Sequence, residues 1–423
     1  MEYINIPHFR DAVNFGVDKT IILSSSNVVK TIEYASRLCY NSVDKITDFS
    51  WFRYIISRIK EGHTSVIEHS NISMISVCTP SFANKVESLL AKTNTLLTYV
   101  KDTMITAASD MVMISVTGNI RMWRDLFTTI GGLEIGSDII DAVYVYAAYF
   151  KLWDLKLLSG LEDAISASGE IKSIHDTYKF GNFSEFFTAG LPVVKQFSPG
   201  LLFNSGVTSG NRPEVLDYGF SSGVKAVNHV LKRRRIECEN DDIEIYGLNI
   251  DEPLIMGQDP EFITFVSKYK KKISSVTIEY TMPRIITQQE ARHRINGISQ
   301  SSQRYVSESN ATFYVPETID GDKKYNINGM ELSYNDVNNI IKEMYTALQN
   351  DGVKNEDARF ILSNATMSRL VVTKPMYTVD HYIKERTSKA AQREIRYVAE
   401  ALKLYINSTD IVHQSYYGEL PIK

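Results

Sequence analysis

The sequence has few cysteines, no long apolar run and no strong excess of either charge. Its 423 residues contain three widely spaced cysteines, Cys39, Cys78 and Cys238, so it has neither a CxxC motif nor a disulfide framework. We expect these cysteines to be buried small apolar groups. The net charge of -4 argues against bulk attraction to nucleic acid. No apolar run approaches the roughly 18 residues that a bilayer span requires, so we expect no membrane segment.

The amino-terminal segment also lacks the basic region and apolar core of a signal peptide, because it carries Glu2 and Asp11. We therefore expect a cytoplasmic protein. With 43% hydrophobic and 23% charged residues, the composition is that of a globular protein with two to three domains' worth of residues. This excludes disordered, collagenous and coiled-coil classes.

Apolar periodicity predicts an α+β protein. Helical spacing occurs over 28–60, 81–99, 121–127 and 137–151, while residues 70–77 alternate as a strand that stops at Pro80. A second strand over 275–284 stops at Pro283, which we expect to be the first residue of a helix.

The later part of the chain carries clear helix signals. Ser333 and Asp336 predict a capping box, and Gly352 suits a helix carboxyl-terminal cap. Between them, one apolar stripe is predicted to face the core: Val337, Ile340, Ile341, Met344 and Leu348. A last helical region is expected over 379–405.

The segment 198–223 is dense in Gly, Ser, Pro and Asn, which is typical of a long loop. We interpret it as an insertion or domain junction. The predicted organisation is a first unit over 1–155, an insertion or linker over 156–245 and a second unit over 246–423.

The segment 288–306, QQEARHRINGISQSSQRYV, concentrates residues suited to a phosphorylated ligand. On a helix, Gln289, Arg292, His293 and Asn296 would share one face, with Arg294 turned aside. Arginines offer paired donors to phosphate, and hydroxyls complete the coordination. A solvated surface helix would explain RHR alone, but not the whole string.

The string RHRINGISQSSQRY resembles the signature RHRxxSxNxxSxRY of flavin-dependent (ThyX-type) thymidylate synthases. The matching residues are Arg292, His293, Arg294, Ser302, Arg304 and Tyr305. Gly297 and Ser299 replace the family's first Ser and its Asn.

Two segments of the first half resemble the family's ARxSY and GHxSxxEH motifs: ASRLCYNS over 35–42, and a segment carrying His63, Ser65, Glu68 and His69. Without the family, these histidines suit polar capping of a turn better than metal binding, because no third ligand is near. We assign no metal site.

The second half ends with segments that resemble GxxxExAR, with Arg359, and LxxRxxxxAQxEIRxxA, with Arg386 and Gln392. The family's NxR flavin element is disrupted in this half, where Pro375 and Tyr377 take its places. The first half contains a good match at Asn119 and Arg121.

These complementary losses suggest an internal repeat of two fused, degenerate family-like units. The resemblance implies the thymidylate-synthase-complementing-protein-like fold, an antiparallel sheet with flanking helices. Flavin contacts would concentrate in the first unit and nucleotide contacts in the second. Because the family is homotetrameric with shared sites, a dimer of two-unit chains is the expected assembly.

The resemblance implies transfer of a one-carbon unit from methylenetetrahydrofolate to C5 of dUMP, with FAD carrying the hydride and NADPH as reductant. It also implies three sets of site residues. Those predicted to act in catalysis are Arg304, Arg386 and Ser302. Those predicted to bind cofactor are His63, Ser65, Glu68, Asn119, Arg121, Arg292, His293 and Arg294. Those predicted to bind substrate are Gln289, Gln300, Ser302, Gln303, Arg304, Arg359 and Arg386.

Three alternatives remain at this point. Gly297 and Ser299 motivate a hydroxymethylase of dUMP or dCMP, and the divided motif set motivates a catalytically silent nucleotide-binding protein. A nucleic-acid-binding module would use the basic runs LKRRR and KYKKK, but no aromatic-rich stacking signature accompanies those runs. As a separate question of mechanism, a nucleophilic Ser302 with His293 as its base would require a contact that the sequence does not establish.

Overall fold

The computed structural model describes residues 2–6, 16–24, 28–47, 50–103, 110–130, 133, 139, 141–143, 145–146, 232–249 and 260–409. The loop-rich segment 198–223, most of the predicted linker 156–245 and much of the predicted helix 137–151 lie outside these residues. The described part of the chain forms two five-stranded antiparallel sheets and one small hairpin. The predicted mixed architecture with antiparallel sheets is confirmed.

The first sheet has the strand order β1-β2-β3-β5-β4. Its elements in chain order are β1 (Glu2–Ile6), β2 (Val17–Ser24), α1 (Val28–Cys39), α2 (Ser50–Lys60), β3 (Ile72–Cys78), α3 (Pro80–Thr93), β4 (Thr98–Thr103), β5 (Val112–Gly118) and α4 (Ile120–Ile130). Short 3-10 helices lie at Val43–Lys45 and Thr64–Glu68.

The second sheet has the strand order β6-β7-β8-β12-β9. Taken in that order, its strands occupy the positions that β1, β2, β3, β5 and β4 occupy in the first sheet. Its strands and the small hairpin are β6 (Lys232–Ile236), β7 (Glu244–Asn249), β8 (Ser275–Pro283), β9 (Gly297–Gln300), β10 (Tyr325–Ile327), β11 (Met330–Leu332) and β12 (Met367–Pro375). The helices are α5 (Pro260–Ile273), α6 (Arg284–Glu290), α7 (Tyr334–Asn350), α8 (Asn355–Ala358), α9 (Met376–Arg386) and α10 (Arg393–Thr409). The second sheet begins at Lys232, upstream of residue 246, where the sequence analysis began the second unit.

Each sheet is covered in part by a helix from the other half of the chain. Helix α1 packs on β9 and β12, while α5 packs on β4 and β5. Tyr34 and Leu38 of α1 join Val371 of β12 in one apolar cluster. Phe265 of α5 joins Met113 of β5 in another. The two halves therefore share these two clusters, while a third cluster lies within the first half.

A buried carboxylate ties α1 to the second sheet. Glu279 of β8 has no exposed surface and accepts hydrogen bonds from Tyr34 Oη at 2.6 Å and Arg233 Nε at 2.9 Å. Arg369 adds two further donors, at 3.1 and 2.6 Å. Because Arg233 and Arg369 still reach solvent, the carboxylate is neutralised without complete burial of both guanidiniums.

Three sequence-predicted helices differ in extent from the structure. The region 28–60 is two helices, because Asn41 takes a left-handed conformation (φ 47°) after α1. Helix α3 ends at Thr93, where Asn94 is also left-handed, and the chain continues into β4. The last region divides into α9 and α10, and Pro283 is the residue before α6 rather than its first residue.

Helix α7 confirms its predicted caps but not its predicted apolar face. Ser333 and Asp336 form the capping box, and Gly352 has φ 84° just beyond the helix. Ile340 and Met344 are 48% and 47% exposed. The helix is instead anchored by Tyr345 and Asn338, its two buried side chains.

Replacing Glu279 tests the tie between α1 and the second sheet. Glu279→Ala would leave two guanidiniums facing each other without a counter-ion, so we expect the free energy of unfolding to fall by about 3 kcal/mol. Urea unfolding measures this loss. The exposed Arg235→Ala on β6 is the control and should change stability by less than about 0.5 kcal/mol. Equal effects of the two variants would contradict the inferred role of Glu279.

Candidate functional site

The GHxSxxEH-like segment of the first half meets the serine-containing segment of the second. The 3-10 helix Thr64–Glu68 packs against β9 and α4. The contact at Gly297 is so close that a Cβ there would lie 2.8 Å from the Glu68 carbonyl oxygen. Arg121 of α4 forms an ion pair with the Glu68 carboxylate.

His69 lies at the centre of this contact and is fully buried. Its Nε2 is 2.9 Å from Ser299 Oγ, and its Nδ1 is 3.0 Å from Thr373 Oγ1. Thr373 in turn contacts Thr277 Oγ1 at 2.9 Å. Burial lowers the pKa of His69 to about 3, so the ring is neutral and links the halves with one donor and one acceptor.

A cleft opens beside this contact and is lined by both halves. Its lining includes Glu68 and Asn119 from the first half and Ile295, Gly297 and Tyr377 from the second. Asn119 Oδ1 also accepts the Met122 N–H at 2.9 Å, which caps α4.

The serine loop, which is residues 301–306 after β9, rests on the carboxyl terminus of α1. Ser302 N–H donates to the Cys39 carbonyl at 3.0 Å, and the rings of Tyr305 and Tyr40 lie 5.3 Å apart. The ARxSY-like segment therefore contacts the serine loop directly. Burial raises the pKa of the Cys39 thiol. Ser302 Oγ accepts the Arg304 N–H at 3.3 Å.

Two of the three arginines predicted for the nucleotide, Arg304 and Arg359, share one glutamate. Arg304 Nε donates to Glu356 Oε2 at 2.7 Å, and Arg359 Nε donates to the Glu356 carbonyl at 3.2 Å. The Arg304 side chain remains 56% exposed. Glu356 thus holds both guanidiniums near the serine loop while leaving donors available.

Buried donors without acceptors lie behind this group. Arg284 Nη1 and Ser363 Oγ make no hydrogen bond within the described part of the chain. Arg284 faces Arg359 and Glu308, and burial lowers its pKa. Because buried donors normally find acceptors, this side of the site suits an anion with several oxygens. Gln303 is also buried, beside Glu308.

Arg386 and His293 form a second pair of predicted site residues in contact. Arg386 Nε donates to His293 Nε2 at 2.7 Å, and its Nη2 donates to the Gln289 carbonyl at 3.1 Å. Gln289 Nε2 reaches Gln392 Oε1 at 2.7 Å. Burial is the main cause that lowers the pKa of His293 to about 4, so its Nε2 is free to accept at neutral pH.

The predicted helical face through RHR is wrong. Helix α6 ends at Glu290, and the RHR residues lie in the turn before β9. Arg292 and Arg294 both point to solvent, whereas His293 turns inward. The pairing of β9 with β12 requires extended backbone from Gly297 onwards, which prevents the helix from continuing.

Several other predicted site residues make contacts outside a shared pocket. Gln300 Nε2 donates to Thr287 Oγ1 and Ser368 Oγ, at 2.9 and 3.0 Å. Ser65 is exposed, and His63 precedes the 3-10 helix with its N–H on the Arg58 carbonyl. His293 bonds Arg386 rather than Ser302 in the structure, so the geometry does not support a nucleophile and base pair.

Sequence reasoning missed Arg284, Glu356 and the linking role of His69. Glu356 stands in the GxxxExAR-like segment, so its motif was a usable signal. Arg284 carries no sequence signal beyond its position after Pro283. The partners of His69 come from 230 and 304 residues further along the chain, which no local pattern predicts.

A protein-family model matches part of the second half of the chain. Residues 272–407 match the model of the Thy1 family, described as thymidylate synthase complementing protein. The chain is 37% identical over 123 residues to the flavin-dependent thymidylate synthase of Nitratidesulfovibrio vulgaris, covering 28% of this chain and 50% of the relative. The enzyme of Pyrococcus furiosus is also 37% identical over 123 residues, covering 27% and 47%.

The chain thus spans about half the length of the curated relatives it matches. A solved UMP/dUMP methylase, PolB from Streptomyces cacaoi bound with 5-Br dUMP, shares 22% identity and covers 38% of this chain and 81% of its own. Its TM-score of 0.27 is too low to bear on the fold. The resemblance to flavin-dependent thymidylate synthases is confirmed over residues 272–407.

Restoring the family's serine at Gly297 tests how tightly the halves meet. Gly297→Ser places a side chain against the Glu68 backbone, so we expect stability to fall by about 1–3 kcal/mol. Thermal unfolding measures the loss, with Ile298→Val on the same strand as the control. A stabilised Gly297→Ser protein would show that β9 and the 3-10 helix are less closely packed than described.

Proposed function

We propose that this chain, whose residues 272–407 match the thymidylate synthase complementing protein family, is a flavin-dependent thymidylate synthase. It would transfer the one-carbon unit of methylenetetrahydrofolate to C5 of dUMP and form dTMP, with FAD as hydride carrier and NADPH as reductant. One observation carries the proposal. The flavin-type motifs of the first half and the nucleotide-type motif of the second meet around His69, Gly297 and Ser299.

The cleft residues suit the flavin side of such a site. Arg121 pairs with Glu68 of the cleft lining, and its side chain is 41% exposed and would be available to a phosphate. Asn119, which also lines the cleft, caps the helix that carries Arg121. Glu68 would orient the Arg121 guanidinium through their ion pair. The flavin, when bound, would supply the hydride that reduces the transferred carbon from methylene to methyl.

The arginines suit the nucleotide side. Arg304 and Arg359, positioned by Glu356, would bind the phosphate together with the unpaired donors of Arg284 and Ser363. Arg386 would stabilise the charge that grows on the uracil ring as C6 accepts a nucleophile or hydride. Ser302, held on the Cys39 carbonyl, would orient the nucleotide rather than attack it.

The structure reduces the motive for a hydroxymethylase. Gly297 is explained by its close approach to Glu68, and Ser299 by its hydrogen bond to His69. Both departures from the family signature are therefore accounted for by packing between the halves.

Among the basic runs, Lys268 and Lys271 pair with Asp102 and Asp380, as expected of a solvated face. Within the described residues, no helix has the length and apolarity of a membrane span.

A visible spectrum of the protein reconstituted with FAD tests the activity. After anaerobic reduction by NADPH, we expect dUMP and methylenetetrahydrofolate to reoxidise the flavin, and mass analysis to identify dTMP. Arg121→Gln should weaken flavin retention, whereas Arg359→Gln should raise the KM for dUMP about tenfold or more, since a charged hydrogen bond contributes roughly 1.5–3 kcal/mol. The exposed Lys403→Gln is the control.

Two outcomes would contradict the proposal. A protein that stays colourless through a titration with FAD, and releases no C5 proton from dUMP, would be a silent family member. A hydroxymethyl nucleotide in the product would assign the alternative enzyme.

We further propose that the chain is a fused tandem of two degenerate units with one composite site. The equal strand orders and the reciprocal placement of α1 and α5 support this proposal. At the place that mirrors the Glu68–Arg121 pair, the chain has Lys272 over the Tyr377 ring and the Lys271–Asp380 pair. These side chains do not reproduce the first arrangement. Two such chains would form the complete assembly.

Ligand stoichiometry tests the composite site. Titration with FAD, followed by calorimetry with dUMP, should give one flavin and one nucleotide per chain, and sedimentation should give twice the chain mass. Tyr377→Arg restores the family residue on the mirrored side and serves as a comparison. Two flavins per unmodified chain, or full activity as a monomer, would contradict the proposal.

A further inference from the structure

An ion pair lies completely buried behind His293 and Arg386. Lys374, near the end of β12, contacts the carboxylate of Glu290, the last residue of α6, and the two side chains are 1% and 0% exposed. The ammonium also lies 4.0 Å from the centre of the Tyr382 ring. Tyr280 and Tyr382 both face the carboxylate, and desolvation together with this charge raises the pKa of each phenol.

The fold itself does not require this pair. In the first sheet, which has the same strand order, Gly118 precedes Asn119 as Lys374 precedes Pro375. A glycine thus fills the corresponding place. Burying two opposite charges typically stabilises a protein no more than apolar side chains of similar volume would. The pair therefore has no evident purpose in stability alone.

The pair is connected to the site through two contacts. The Glu290 carbonyl accepts the His293 backbone N–H at 3.1 Å, at the point where α6 ends. The Tyr382 ring, covered by the Lys374 ammonium, meets the His293 ring edge-on at 4.8 Å. Since Tyr382 and Arg386 lie one turn apart on α9, the same face of that helix presents both to His293.

His293 transmits this support to Arg386. The imidazole accepts from Arg386 Nε at 2.7 Å, so it must be neutral for the contact to exist. The charged groups that face it are Glu290 from α6, Lys374 from β12, and His381 and Arg386 from α9. The carboxylate raises its pKa, while burial and the three cationic or basic groups lower it to about 4. The contact is therefore intact at neutral pH and is lost on acidification through about pH 4.

We propose that Lys374 and Glu290 are positioning residues, which hold the His293 ring and, through it, the Arg386 guanidinium in the orientation that binds the nucleotide. The inference rests on the proposed function in that Arg386 must contact dUMP. Neither residue touches substrate. Their effect therefore appears in nucleotide binding and depends on Arg386.

The double variant Lys374→Met/Glu290→Gln separates positioning from stability. It removes both charges together, so the free energy of unfolding should stay within about 1 kcal/mol of the parent value. The KM for dUMP should nevertheless rise about tenfold and kcat should fall as well, because the displaced Arg386 would lose both its contact with the nucleotide and its stabilisation of the charge that develops on the uracil ring. The exposed pair Lys271–Asp380 gives a matched control, Lys271→Met/Asp380→Asn, which should change neither quantity.

The same double variant made in an Arg386→Lys protein tests whether Lys374 and Glu290 act through Arg386. In an Arg386→Lys protein, whose KM for dUMP is itself raised, the Lys374→Met/Glu290→Gln change should add less than about twofold. Residues that act as a unit are not additive. The same tenfold loss in both backgrounds would overturn the proposal, as would a double variant with unchanged KM. If the parent protein binds FAD but not dUMP, the proposed function fails first, and calorimetry with dUMP on that protein reveals it.

Discussion

The exchange of α1 and α5 between the sheets is the constraint on which the rest of the structure depends. Each helix covers strands that belong to the other half, so residues of both halves bury the second sheet and one face of the first sheet. The other face of the first sheet is buried by residues of the first half. The exchange brings the carboxyl terminus of α1 to the serine loop. It thereby sets Cys39 under Ser302 and places the 3-10 helix Thr64–Glu68 against β9.

The shared interface is polar at its centre and apolar around it. His69 is buried, and both of its hydrogen-bond partners lie in the opposite half. Glu279 is also buried and accepts a hydrogen bond from Tyr34 of the opposite half. Such groups add little stability compared with apolar contacts, but an alternative register would remove these cross-half partners at a cost of about 1–3 kcal/mol for each buried group left unpaired. They therefore favour a single alignment of the two halves. That alignment fixes the distance between the cleft and the arginines.

Local motifs were readable from the sequence, whereas their surroundings were not. The serine-loop string, the Ser333 capping box and Gly352 depend on residues close in sequence, and the structure confirms the two caps. The helix through RHR was mispredicted because the pairing of β9 with β12 is a contact with a strand far along the chain. The apolar spacing over α7 correctly predicted a helix, but spacing alone does not indicate whether another element covers the apolar face. The burial of Lys374 could not be predicted either, since a lysine near the end of a strand is normally exposed to solvent.

Cys39 occupies the serine place of the ARxSY-like motif, beside Ser299 and beneath the serine loop. Its backbone carbonyl supports Ser302, while burial keeps its thiol protonated at neutral pH. Because the thiolate is the reactive form, an electrophile attached to a nucleotide analogue would meet no activated sulfur at this position. A covalent probe directed at this loop is therefore expected to leave Cys39 unmodified at neutral pH.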